Sequence, residues 1–145
     1  MRTMQSDALG KFVDIYGQLN KHNLHSLDEL YHPDIVFEDP AHRIEGSQAL
    51  KAYFEELYRN INECDFKILH SAGDDGSAYV RWVMTLSHPQ VESGRLRRVE
   101  GCTYLEFSDK RVVYHRDYFD LGALLYEGLP VLGRIIAAIK KRLGQ

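Results

Sequence analysis

Residues 112–122, VVYHRDYFDLG, place a histidine and an aspartate two positions apart among apolar residues. Side chains alternate between faces in an extended chain, so His115 and Asp117 share a side with Val113 and Phe119. His115 is read either as a hydrogen-bond partner that completes a site or as a tautomer-locked core histidine. Two more charged residues stand in apolar runs, Arg81 in YVRWV and Asp39 in FEDP. If Arg81 and Asp117 face each other, their pairing keeps Asp117 ionised and positions a substrate or water oxygen. Asp39, with no evident cation of its own, is read as a second carboxylate able to exchange a proton near neutral pH. An acid and a base on opposite walls can open an epoxide, move a double bond or close a ring by aldol chemistry. The same residues also admit a structural reading, in which Arg81 and Asp117 tie two strands together and Asp39 caps the turn at Pro40.

The elements that must position these groups follow from periodicity. Ala8, Leu9, Phe12, Val13, Tyr16 and Leu19 recur at helical spacing and predict a helix over about 5–21. A short helix is expected from Ser26, with Glu29 completing a capping box, and a brief strand, IVFED, stops at Pro40. AHRIEG reads as a loop, and Ser47 as the N-cap of a helix striped by Leu50, Tyr53, Phe54, Leu57, Tyr58 and Ile61. The period then drops to two. Strands are expected from Phe66, over SAYVRWVMTLS, over RLRRVEGCTYLEF and over RVVYHRDYFD, joined by GDDG, HPQVESG and SDK. Helices followed by an antiparallel meander make an α+β fold with the helices on one face of a curved sheet. The tail from residue 121 is read as a helical extension with Ile135, Ile136, Ile139 and Leu143 on its apolar side.

The 145 residues suit one domain, and a net charge of −3 with 27% charged residues offers no general attraction for nucleic acid or an acidic membrane. The start of the chain lacks the apolar stretch of a secretory signal, and no run reaches the roughly 20 apolar residues of a membrane span. A cytoplasmic location is therefore expected. Cys64 and Cys102 form no Cys-x-x-Cys pattern and are read as free thiols. His22 and His25 have no third ligand at metal-binding spacing, so neither a metal nor another cofactor is expected. The basic end of the last helix, Lys140, Lys141 and Arg142, is read as charge at a helix C-terminus rather than a membrane anchor.

The order of elements, with FEDP after two helices and RDYFD on the last strand, resembles the nuclear-transport-factor-2-like or SnoaL-like superfamily over nearly the whole chain. The resemblance implies a conical α+β fold, a curved sheet closed by the N-terminal helices around a pocket, but not one reaction. LNKHNLHSLDELYHPDIVFEDP is similar to ketosteroid isomerases, with Asp39 on their proton-abstracting aspartate. Ile15 and Thr103 stand where those enzymes carry the tyrosine and protonated aspartic acid of the oxyanion hole. Tyr16 lies about 100° further round the helix and is not expected to replace that tyrosine. DKRVVYHRDYFDLGALLYEGLPVLGR resembles limonene-1,2-epoxide hydrolases, with Asp117 and Arg81 on two members of their Asp-Arg-Asp triad. Val83 replaces the third member, and Phe37 and Asp39 replace the water-positioning tyrosine and asparagine.

The resemblance thus implies Asp39, Arg81 and Asp117 as the catalytic set. If these face the pocket, Phe37, Tyr79, Val83, Thr103, His115 and Phe119 line it, and His42 stands at its rim. Val99, Gly101, Leu105 and Phe107 would also point inward, leaving Val80, Trp82, Met84, Leu86, Cys102 and Tyr104 as an outer patch covered in a homodimer. The functional readings are a cofactor-independent acid–base enzyme on a small apolar oxygenated molecule, a non-catalytic binding or sensing module, and a scaffold whose pocket is filled by its own side chains.

Overall fold

Helix α1 (Asp7–Gly17) forms where apolar residues recur at helical spacing, and it buries Ala8, Leu9, Phe12 and Tyr16. The computed structural model describes residues 7–59, 63–87, 96–120, 139 and 141–144. A 3-10 turn (Leu24–Ser26) runs into the single-turn helix α2 (Leu27–Leu30). Ser26 does not cap α2, since it is already helical as the last residue of that turn and its hydroxyl donates to the Asn23 carbonyl at 2.7 Å. Strand β1 (Tyr31–Glu38) begins four residues before IVFED, and residues read as loop supply a short strand, β2 (Arg43–Glu45). Gly46 adopts a left-handed φ of 93° and bonds through its N–H to the Ile35 carbonyl. Its turn sends the chain into α3 (Ser47–Arg59), of which Ser47 is the first residue rather than the cap, and which buries Leu50, Phe54 and Tyr58.

The remaining strands are β3 (Glu63–Gly73), β4 (Ser77–Ser87), β5 (Arg97–Ser108) and β6 (Arg111–Phe119). In the β3–β4 turn the Asp74 carboxylate accepts the N–H groups of Gly76 and Ser77. Between β5 and β6, Asp109 and Lys110 both take positive φ, as the tightest hairpin turns demand. The order across the sheet is β2-β1-β6-β5-β4-β3. The fold is α+β, a curved open sheet with the helices on one side. The meander is antiparallel as expected, but β1 joins it by pairing parallel to β6, so the sheet is mixed. The tail helix expected from residue 121 lies almost wholly outside the described residues. No helix among the described residues is long and apolar enough to cross a membrane.

Register decides which face each residue serves. Val80, Thr103 and Asp117 line up across β4, β5 and β6, and Arg81, Cys102 and Tyr118 form the next row. Directly paired residues share a face and neighbouring rows alternate. The first row faces the helices; Thr103 and Val80 are fully buried. The second faces away. Consequently Val80, Trp82, Met84 and Leu86 are core residues and not the outer patch expected of them. Tyr79 and Arg81 are on the outside, Tyr79 at 58% exposure, and Val83, although buried, belongs to their face. A bulge in β6 pairs Phe107 with Val112 after Glu106 with Tyr114, which turns Val112 inward in place of Val113.

Gly101 sits between Trp82 on β4 and Phe119 on β6. A Cβ at Gly101 would come within 2.3 Å of the six-membered ring of Trp82, so only glycine leaves room for the indole. Gly101→Ala should therefore lower unfolding free energy by about 1–3 kcal/mol, the range for overpacking a filled core. Urea denaturation checks this, with unchanged stability as the contrary result.

Candidate functional site

A cavity of about 90 Å³ lies between the helices and the inner face of the sheet. Phe37, Phe54, Leu57, Phe66, Trp82, Met84, Leu86 and Phe119 make its wall mostly apolar. Tyr16, Asp39, Tyr53, Tyr58, Cys64 and Asp117 contribute the polar groups. Phe37 is brought inward by pairing with His115, and Phe119 by pairing with Gly101.

Asp117 is the end point of a buried hydrogen-bond chain. Its Oδ1 lies 2.5 Å from Thr103 Oγ1 and 2.7 Å from His115 Nε2. Trp82 Nε1 donates to Thr103 Oγ1 at 2.8 Å, which leaves the threonine proton for Asp117. His115 Nδ1 lies 2.8 Å from the Tyr31 hydroxyl, which lies 2.5 Å from that of Tyr16. With Asp117 ionised and His115 neutral, one assignment satisfies every group: Nε2–H donates to Asp117, Tyr31 donates to Nδ1, and Tyr16 donates to Tyr31. Burial pushes the hydroxyls of Tyr16 and Tyr31 well above their ordinary range, so both remain donors. Among the described residues all hydrogen bonds of Asp117 run through Oδ1, leaving Oδ2 for the cavity.

Asp39 lies in the turn between β1 and β2 and is 8% exposed. Its Oδ1 accepts the N–H groups of Ala41 and His42, each at 2.8 Å, and lies 3.0 Å from His42 Nδ1. Its Oδ2 accepts from the Tyr53 hydroxyl at 3.2 Å. The expected apolar surroundings without a partner are not found, because the turn at Pro40 folds its own donors and the half-exposed His42 back onto the carboxylate. The Tyr53 hydroxyl is raised by burial first and by the Asp39 charge second.

Arg81 does not pair with Asp117. It lies on the opposite face of the sheet, where its guanidinium is 3.5 Å from Glu100. Tyr79 and Val83 follow it, so none of the three lines the cavity. Thr103 and His115 stand behind the wall and hold Asp117, while His42 serves Asp39 at the rim. The sequence reading missed Tyr16, Tyr31, Tyr53 and Trp82 as polar members of the site. Tyr16, set aside as misplaced on its helix, faces the interior at 5% exposure. Its spacing from Phe12 and Leu9 was the available signal.

A family model described as a SnoaL-like domain matches residues 11–115. No curated protein sequence matches the chain. Among solved structures, a nuclear-transport-factor-2-like protein of unknown function from Burkholderia pseudomallei K96243 superposes with a TM-score of 0.72 at 14% identity, over 81% of this chain and 93% of that one. An M. tuberculosis epoxide hydrolase of the limonene-epoxide-hydrolase-like type gives 0.66 at 19% identity, over 93% of both chains. A protein from Jannaschia sp. CCS1, assigned as a SnoaL-like polyketide cyclase, gives 0.70 at 13% identity, over 81% of this chain and 88% of that one. At these identities the likeness extends to the fold.

The buried tyrosines set an alkaline limit on stability. Tyr16, Tyr31, Tyr53 and Tyr58 have folded values raised above 10.0, chiefly by burial. The unfolded chain therefore loses these protons first, and the stability they contribute is full below about pH 10 and falls as pH rises through the folded values. Absorbance titration of tyrosinate should show these four ionising only with unfolding. Their ionisation near pH 10 in a still-folded protein is the contrary result.

Proposed function

Because the chain belongs to the SnoaL-like domain family, we propose that its cavity takes a small, mostly apolar, oxygenated molecule and that Asp117 acts on it as a general base. The observation that carries this is the asymmetry of the Asp117 carboxylate: among the described residues two donors hold Oδ1, and Oδ2 is left to a mostly apolar cavity. A carboxylate fixed in this way can take a proton from carbon or from water without first giving up a hydrogen bond on the reacting oxygen. His115 and Thr103 are positioning residues, and the Tyr16 hydroxyl is a proton-bearing group on the same cavity wall. The reaction class is acid–base chemistry of the isomerase, epoxide hydrolase or cyclase kind.

A non-catalytic binding or sensing module is the second reading, favoured by two observations. The described residues lining the cavity include no lysine or arginine. Asp39 has both oxygens committed to its own turn and to Tyr53. Native mass spectrometry after exposure to cell lysate would identify a retained molecule, and its conversion by wild type and Asp117→Asn separates the readings. The catalytic reading expects Asp117→Asn to fold and to lose turnover by about 10²–10⁴-fold. Binding without conversion by either protein supports the second reading.

We also propose that the chain forms a homodimer through the outer face of the sheet. Tyr79 and Tyr118 are 58% and 52% exposed there, with Tyr104 packed on Tyr79 and Arg116 over the Tyr118 ring. Tyrosine and arginine are the residues interfaces favour. Sedimentation velocity should report a dimer that Tyr79→Glu converts to monomer; a monomeric wild type refutes it.

A further inference from the structure

The hydroxyl of Tyr58 is buried and, among the described residues, has no partner at full hydrogen-bond geometry. Its companions on the cavity wall do: Tyr16 bonds Tyr31, and Tyr53 bonds Asp39. Tyr58 is 3% exposed. The neighbouring polar group is the Cys64 thiol, which interacts with the hydroxyl as a weak hydrogen-bond partner without reaching the geometry of a full hydrogen bond. A thiol is in any case a weak acceptor. Burial keeps the phenol protonated and pushes the thiol up to about 11, so the pair remains neutral at physiological pH. The described residues thus place a donor in the cavity wall and offer it no acceptor stronger than the Cys64 sulfur, an arrangement that costs stability.

The lining limits what could supply one. Asp39 and Asp117 are its charged residues among those described, and they disfavour a carboxylate or phosphate. The remaining wall is aromatic and aliphatic. Tyr58 also borders two surface clefts beside Lys21 and His22, so its ring is a partition between them and the cavity.

We propose that the cavity binds a small neutral molecule whose carbonyl or ether oxygen accepts a hydrogen bond from the Tyr58 hydroxyl. This rests on reading the cavity as a small-molecule site. It adds the residue that recognises the oxygen and requires that oxygen to be an uncharged acceptor.

Cyclopentanone and cyclopentane, similar in shape and different in the oxygen, provide the test. Each is titrated into ¹⁵N-labelled wild-type and Tyr58→Phe protein, with amide shifts around the cavity as readout. Cyclopentanone should bind Tyr58→Phe about fivefold more weakly than wild type, the worth of one neutral hydrogen bond, while cyclopentane binds both alike. Without ligand, Tyr58→Phe should melt at the same temperature as wild type or higher, because it loses an unpaired buried hydroxyl. Equal cyclopentanone affinity in the two proteins, with cyclopentane bound, overturns the Tyr58 assignment and leaves the cavity intact. A lower melting temperature for Tyr58→Phe overturns it as well, since the hydroxyl would then have a partner in the fold. If neither compound binds wild type, the small-molecule reading falls and this proposal with it.

Discussion

His115 has no contact with water, so both of its ring nitrogens must find partners inside the protein. Meeting that requirement fixes much of the molecule. One nitrogen draws Tyr31 from the start of β1, and through it Tyr16 from α1. The other draws Asp117 from β6, held in turn by Thr103 of β5 and indirectly by Trp82 of β4. Each link is a buried polar group that is costly to leave unpaired, and the low polarity around them strengthens the bonds they make. Stacking of Phe12 on Tyr16 and packing of Phe37 against the imidazole close the apolar shell around the chain. The helix–sheet junction and the cavity carboxylate are therefore set by one residue.

The sheet is a boundary between two chemistries. Its inner side carries the histidine chain and apolar residues, and its outer side carries tyrosines paired with arginines and glutamates. Since alternate residues of a strand cannot share a face, Arg81 is excluded from the cavity by the same register that admits Val80 and Trp82. The carboxylate at Asp117 is held instead by Thr103 and His115, so its position depends on hydrogen-bond geometry.

Much of this was legible in the chain. Helical spacing located α1 and α3, and period-two alternation located the four strands of the meander. His115, Asp117, Thr103 and Phe119 were placed on the inner face correctly. Arg81 was not, because its position in the resembled family points inward while the alternation points outward: Ala78, Val80, Trp82, Met84 and Leu86 mark the buried side of β4. Two features were beyond local pattern. The parallel pairing of β1 with β6 is a contact between distant segments. The bonding of Asp39 depends on a turn whose donors include backbone N–H groups that carry no sequence signature.

That parallel pairing also governs how the chain can assemble. Hairpins join β3 to β4 and β5 to β6 through short turns, and β4 to β5 across few residues, so these contacts close cheaply. Residues 36–38 must find residues 114–116, and the closure entropy of so long a loop is met before the contact returns anything. During synthesis β1 therefore waits for the last strand, and until it arrives Ile35 and Phe37 have only the short β2 beside them. The cavity, walled on one side by Phe37, is among the last parts of the protein to exist.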